Sequence, residues 1–355
     1  MFDRITLVRR QDVPRAARIG TFMGGLLFGV ALSCALLVAA GVPPEDLADE
    51  LFTQVFLSSD GLAQTTAAAA PLILVGLCSA LATRVRFWNI GIEGQLWFGA
   101  MGAMAVGIGD VGPGFLRLPL MLAFAGVAGA FWVALPLFLK VRYQVSETVL
   151  TLLLGNIAFL CVQHMLFGAW KDPATGFPVS PALDPLERLP LFGWGTVGLG
   201  TVLAVVIAAA AYLLIDRSRL GVYAAAVGLN PVTARAAGLP VTATVVTLVL
   251  LSGALAGLAG GVLVAGTEYR LTQFIGNNYT FSGIVIAFLA RTHPLGVVVA
   301  AFGVGGMFTA GSSLKVFYSL SDAVVVLIQG IVLLSLLSAQ FFSTYRITIQ
   351  RRSAA

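Results

Sequence analysis

The chain has 355 residues, of which 58% are hydrophobic and only 10% charged, with a mean hydropathy of +0.95 and a formal charge of +5. Soluble domains carry about a quarter charged residues, so this balance excludes an ordinary soluble domain and places the chain among membrane proteins. No run of ten-residue units with strand-like alternation occurs; this argues against a membrane barrel and leaves helices to satisfy backbone groups in lipid.

A hydrocarbon core of about 30 Å needs about 20 helical residues. Residues 1–18 form a basic segment with Arg4, Arg9, Arg10, Arg15 and Arg18, followed by an apolar run over 19–41. That run is too long for a signal peptide and many others follow, so it reads as a retained first membrane helix. Residues 42–64 hold Glu45, Asp46, Asp49, Glu50 and Asp60 and no basic residue. Lys and Arg collect on the cytoplasmic side, which puts this loop outside and the amino terminus inside. Alternation then gives a second helix near 66–83 that returns to Arg84 and Arg86, and a third that runs out to Asp110. A fourth near 118–139 ends inside at Lys140 and Arg142, and a fifth over 146–168 leads to an outer loop of mixed charge at 171–194. The sixth, 197–215, returns to a polar island at 216–240 on the cytoplasmic side. Residues 241–266 lead out again, and 281–290, 295–311 and 322–340 supply three further segments before a basic cytoplasmic tail at 346–355. The expectation is an all-α polytopic membrane protein with about ten segments in one transmembrane domain over 19–345, both ends cytoplasmic.

Two segments are odd. As a helix, 281–290 would reach only about 15 Å. The third is interrupted by Asn89, Gly91, Glu93, Gly94 and Gln95, and its continuous apolar part starts at Leu96. The two stand five segments apart and would run in opposite directions. Matching broken helices in two inverted five-segment halves point to a transport pathway; the alternative is glycine-rich helices that pack closely for structural reasons alone.

The island 216–240 is punctuated like a short helix. Asn230 suits the cap, Pro231 the first helical position and Gly238 the stop, and Pro240 bars continuation. A helix of about two turns is marginal alone. Either its Ala-rich face rests on its own protein, or it docks on a partner through Arg235 and its neighbours. Elsewhere, Asn89 and Glu93 are four residues apart and share a face if the segment is helical. Glu93 then either contacts solute or joins a structural knot with Arg84 or Arg86. Ser146-Glu147-Thr148 reads as a helix cap, with Thr151 one turn on from Glu147. Asn156, nine residues beyond Glu147, falls on the opposite face, where a helix–helix hydrogen bond would satisfy it. Asn277, Asn278 and Tyr279 form a turn or a binding mouth, and Gln329 has the same two readings in the last segment.

Catalytic signatures are missing: there is no H-E-x-x-H, no G-x-S-x-G, and Lys140, Lys171 and Lys315 lack the Gly that a Walker A loop places before its Lys. Cys34, Cys78 and Cys161 lie inside apolar runs, and His164 and His293 are far apart, so neither a disulfide nor a metal site is expected.

The string Asn89-Ile90-Gly91-Ile92-Glu93-Gly94-Gln95 resembles the Asn-Ile-Gly-x-Glu-Gly-Gln of the nucleoside members of one permease family, that of bacterial ABC importers for simple sugars, branched-chain amino acids and nucleosides. Residues 230–238 resemble the family's cytoplasmic coupling segment, and Glu147 and Asn156 fall where the nucleoside members carry a Glu and an Asn. The likeness covers most of the chain from the second segment on; the first helix and the loop 171–194 carry no signature. Trp88 stands where Phe is usual, Gly155 where a larger apolar residue is, and Ala290 where Gly is common. The resemblance implies a multi-pass permease of the bacterial inner (cytoplasmic) membrane that carries no cofactor. ATP-Mg would act on a separate ABC ATPase subunit, an extracytoplasmic solute-binding protein would deliver solute, and a related second permease would complete the pore. Nucleic acid is not an expected partner. It implies Asn89, Glu93, Gln95, Glu147, Asn156 and Asn278 for the gate or pathway, and Asn230, Pro231, Arg235 and Gly238 for ATPase coupling. A nucleoside is the solute expected by likeness, ahead of a sugar or a branched-chain amino acid. The rivals are an ion-coupled secondary transporter with Glu93 as the coupling carboxylate, and a scaffold with no flux.

Overall fold

A computed structural model describes residues 4–9, 14–276 and 278–350. Arg10, Asn277, Arg351 and Arg352 lie outside the described residues. Twelve α-helices are present among the described residues. Eight are long and apolar enough to cross a membrane: α1 (Arg15–Ala39), α2 (Ser59–Arg84), α4 (Gly114–Tyr143), α5 (Glu147–Phe167), α6 (Leu199–Asp216), α9 (Val241–Leu263, continued by a π-helical turn Val264–Glu268), α11 (Pro294–Tyr318) and α12 (Asp322–Thr344). Two more, α3 (Ile92–Ile108) and α10 (Tyr279–Leu289), stand at the interrupted positions and are shorter. The polar island holds α7 (Arg219–Leu229) and α8 (Pro231–Ala236).

Two compact units are formed. In the first, which contains the residues up to Val55 and from Met307 on, α1 lies along α12. A Cβ on Gly29 would come within 3.0–3.1 Å of Ser335 and Val332, a close approach that only a small residue allows. Leu37, Val42, Leu47, Leu314, Leu320 and Ile328 form its core. The acidic stretch after α1 is fastened at both levels: Ser313 Oγ donates to Glu50 Oε2 (2.7 Å) and the Tyr318 hydroxyl to Asp46 Oδ2 (2.9 Å). Gln329 of α12 faces Gly311 of α11. The chain ends depart from the all-α expectation. β1 (Arg4–Arg9) and β2 (Tyr345–Gln350) pair antiparallel, with Arg4 opposite Gln350 and Arg9 opposite Tyr345. The physical reason is that α1 and α12 pack side by side, which brings two β-branched stretches together; read singly, each is only a basic tail.

The second unit spans Phe56–Gly306. Its centre is α2, buried over almost the whole of residues 69–82, with α3, α4 and α9 packed closely together. α9 presents Ser252, Gly253, Ala256, Gly257 and Gly260 in small-xxx-small spacing. A Cβ on Gly257 would overlap the Ala125 carbonyl and meet Gly129 at 2.9 Å, so backbones touch here as membrane helices do when packing replaces the hydrophobic effect. The loop 171–194 is tied down along the end of α9: Ser180 N–H, Leu183 N–H and Leu189 N–H donate to the carbonyls of Leu271, Tyr269 and Ala265.

Candidate functional site

α2 ends at Arg84 and the next helix starts at Ile92. Between them, residues 85–91 are irregular, yet Val85, Phe87 and Asn89 are buried. Irregular backbone inside a membrane protein needs partners from neighbouring elements, and α5 supplies them. Trp88 N–H donates to Glu147 Oε1 (3.3 Å) and Ile90 N–H to Thr151 Oγ1 (3.2 Å). Four residues of helix and two of extended chain both advance about 6 Å, so Glu147 and Thr151 match alternate N–H groups. Lys140 closes the other side as an ion pair with Glu147 and donates to the Arg86 carbonyl (3.5 Å). A Cβ on Gly91 would overlap the Thr151 carbonyl; only glycine lets the turn lie this close to α5. Ser146 takes the cap position of α5 without a side-chain bond. Glu147 therefore does more than cap a helix, because its carboxylate holds the buried turn.

Within the turn, Asn89 Nδ2 donates to Gln95 Oε1 (3.0 Å) and Gln95 Nε2 donates back to Asn89 Oδ1 (2.9 Å). Asn89 Oδ1 also accepts from Gly91 N–H (3.2 Å). Both side chains are buried, 5% and 1% exposed. This corrects the expectation that Asn89 shares a helical face with Glu93, because the helix starts only after Asn89 has taken the Gly91 N–H. This amide pair is not the knot expected between Glu93 and Arg84 or Arg86, since both arginines bind backbone carbonyls instead.

Glu93 reaches α10. Its carboxylate accepts from Thr280 N–H (3.2 Å), while Glu93 N–H donates to the Thr280 hydroxyl (2.9 Å). Each is the second residue of its helix. The two short helices thus meet amino end to amino end and cap one another. Both ends carry partial positive charge, and a carboxylate between them is favourable. Thr280 was not foreseen, although a Thr beside Asn-Tyr at a helix start is a capping signal. Asn278 sits at the α10 cap with φ +70° and no side-chain cap bond; its carbonyl accepts from the Ser282 hydroxyl (2.9 Å), so the turn reading holds for it. Asn156 is exposed on α5 and donates to the Leu152 carbonyl of its own helix (3.1 Å), which replaces the expected bond to another helix. Leu152, Leu153, Ile157 and Leu160 are exposed beside it. Near the loop 171–194, a cleft of about 640 Å³ is lined by Phe177, Glu268, Thr272, Gln273, Phe274 and Tyr279; of these, the sequence pointed only to Tyr279.

The island folds as its punctuation predicts. Asn230 Oδ1 accepts from Val232 N–H (2.9 Å) and Thr233 N–H (3.3 Å), with Pro231 first in α8. Gly238 ends it with φ +77°. Ala234 is buried, whereas Val232 is 75% exposed and Arg235 lies open. Leu229, at the end of α7, is 79% exposed. α7 itself went unforeseen, since its apolar run is too short to cross a membrane. The arginines after α2 bind backbone: Arg84 donates to the Thr292 carbonyl (3.0 and 3.2 Å), and Arg86 to the carbonyls of Gly228 and Leu229 (2.7 Å each).

Residues 61–337 match the family model described as "Branched-chain amino acid transport system / permease component". The chain is 34% identical to the glucose ABC transporter permease protein TsgB13 of Haloferax volcanii, over 96% of this chain and 92% of that one. It is 30% identical to the guanosine ABC transporter permease protein NupP of Bacillus subtilis, over 92% and 95%. It is 27% identical to the nucleoside ABC transporter permease protein NupB of Lactococcus lactis subsp. cremoris, over 78% and 79%. With its eight long apolar helices, the chain belongs to this family of ABC transporter permeases and is a multi-pass membrane protein.

Proposed function

We propose that the chain is one of two permease subunits of an importer, that a separate ATPase pair grips it at α7 and α8, and that its solute is a nucleoside. The observation that carries the reading is α8: a capped helix of 6 residues whose own protein covers Ala234 while Val232 and Arg235 face outward. An exposed apolar and cationic helix on a membrane protein is the form a docking element takes. The exposed face of α5, with one amide among apolar side chains, supports a second permease and a path beside Asn156, since a polar side chain facing lipid is costly even with one bond made to its own helix. The mutual capping of Glu93 and Thr280 at equivalent positions of α3 and α10 supports ten segments in two inverted halves, both ends cytoplasmic, with Glu93 at the gate. An extracytoplasmic solute-binding protein delivers the solute. The nucleoside assignment rests on the relatives named for guanosine and nucleosides; the relative named for glucose makes a sugar the competing outcome.

The test is uptake into proteoliposomes by the complex recovered from its native membrane with a tag on this chain. Labelled guanosine is expected to enter only with ATP, and excess unlabelled nucleoside should block it while glucose does not. Block by glucose alone would transfer the assignment to sugars. Arg235→Glu is expected to lower solute-stimulated ATP hydrolysis at least about tenfold, equivalent to losing an interface hot spot, while the chain still inserts. Stimulation at the wild-type level would reject docking at α8.

A further inference from the structure

We infer that Arg86 is the positioning residue that ties movement of the docking helix to the buried turn, an inference that rests on the docking reading above. Its guanidinium grips two successive carbonyls, Gly228 and Leu229, at 2.7 Å each. Those carbonyls close α7 immediately before Asn230, the residue that caps α8. A forked donor on two acceptors fixes direction as well as distance, which a single point charge does not. The grip also sits at a helix carboxyl end, where a cation is favoured. On the other side, Arg86 belongs to the turn itself: its carbonyl accepts from Lys140, Lys140 pairs with Glu147, and Glu147 holds Trp88 N–H. Gly228 leaves no slack at this joint, because a Cβ there would overlap the Arg84 carbonyl. Arg84 in turn holds the carbonyl of Thr292, between α10 and α11.

A push on α8 therefore reaches residues 85–91 through one stiff contact. From there the turn continues through the Asn89–Gln95 amide pair to Glu93 and the amino end of α10. If Arg86 only pinned the loop, its loss would loosen the fold without affecting how the turn responds to nucleotide. Spatial continuity alone does not establish coupling, so the test must read a response at the turn.

Trp88 is half exposed and adjoins Arg86, so a Trp88→Cys probe reports on the turn in a chain whose native cysteines are replaced. The labelling rate of this probe by maleimide is measured in the complex recovered with its ATPase, with and without ATP-Mg and vanadate. A nucleotide-dependent change of at least about threefold is expected, falling below about a third of that size when Arg86→Gln is added, while ATPase recovery stays at the level of the probe alone. Arg86→Lys, which keeps the charge but loses the fork, is expected to restore only part of the response. Arg142→Gln, which removes an exposed cation at the same membrane side, should leave it intact. A full response with Arg86→Gln, or no response in the probe alone, overturns the role of Arg86. Loss of ATPase recovery with Arg86→Gln would also overturn it, because the residue would then hold the docking surface itself. Failure to recover any ATPase with the unmodified chain would instead overturn the docking reading.

Discussion

The start of α8 and the junction of α3 with α10 solve the same problem in opposite ways. Every helix begins with N–H groups that have no partner inside the helix. α8 satisfies two of its own from the preceding residue, Asn230. Its capping is consequently self-contained. α3 and α10 each take a cap from the other, through Glu93 and Thr280. Neither can withdraw without exposing two donors and separating a carboxylate from two helix ends. The start of α8 is thus capped by its sequence neighbour, whereas the interior junction depends on two elements far apart in the chain.

The largest expected effect comes from the brace that supports the junction. Glu147→Ala leaves Lys140 and the part-buried Trp88 N–H without their shared partner, at a cost of about 2 kcal/mol. Thermal unfolding in detergent should register this, and the loss should be smaller in Lys140→Ala/Glu147→Ala than the two single losses added together. Next, Glu93→Ala and Thr280→Ala should each cost about 1–2 kcal/mol, because each removes one of two separate bonds from a side chain to the other helix's backbone N–H. Stability unchanged by either substitution would remove the claim that the helices cap each other. By contrast, Asn230→Ala should cost about 1 kcal/mol locally and Asn230→Gly a few tenths. Amide exchange should quicken at Val232 and Thr233 and remain unchanged at Thr280. Faster exchange at Thr280 would mean that α8 is not self-contained.

The same contrast explains what was legible in the sequence. Asn230, Pro231, Gly238 and Pro240 act on residues next to them, so their types and spacing define α8 directly. Helix positions followed from apolar runs for the same reason, although α2 (Ser59–Arg84), α4 (Gly114–Tyr143) and α11 (Pro294–Tyr318) extend past the runs that marked them. Glu93 finds Thr280, and Arg86 finds Gly228, across more than a hundred residues of chain, and no local period encodes such a meeting. Asn89 was misplaced because four-residue spacing presumes a helix, while the side chain itself prevents one by taking the Gly91 N–H. Asn156 was placed on the correct side of α5 by helical geometry, yet its partner was not, since its own Leu152 carbonyl suffices.

The smallest expected effect sharpens the contrast by pH. Residue Asp172 caps its own turn as Asn230 does, accepting from Ala174 N–H (3.0 Å) and the Thr175 hydroxyl (2.9 Å). Unlike an amide, it titrates. The Ala174 N–H and the Thr175 hydroxyl, with Arg270 nearby, hold its carboxyl below the usual carboxylate range. A depressed folded value means that the ionised form is the one the fold prefers. Its contribution is therefore fully present above the unfolded value of about 3.9 and is lost as pH falls through the lower folded value. Acidification through that window should quicken amide exchange at Ala174 while Val232 and Thr233, capped by an amide, show no corresponding step. Asp172→Asn should abolish the step at Ala174. A step that survives this substitution would assign it to another group and leave Asp172 with a structural bond that does not titrate with the turn.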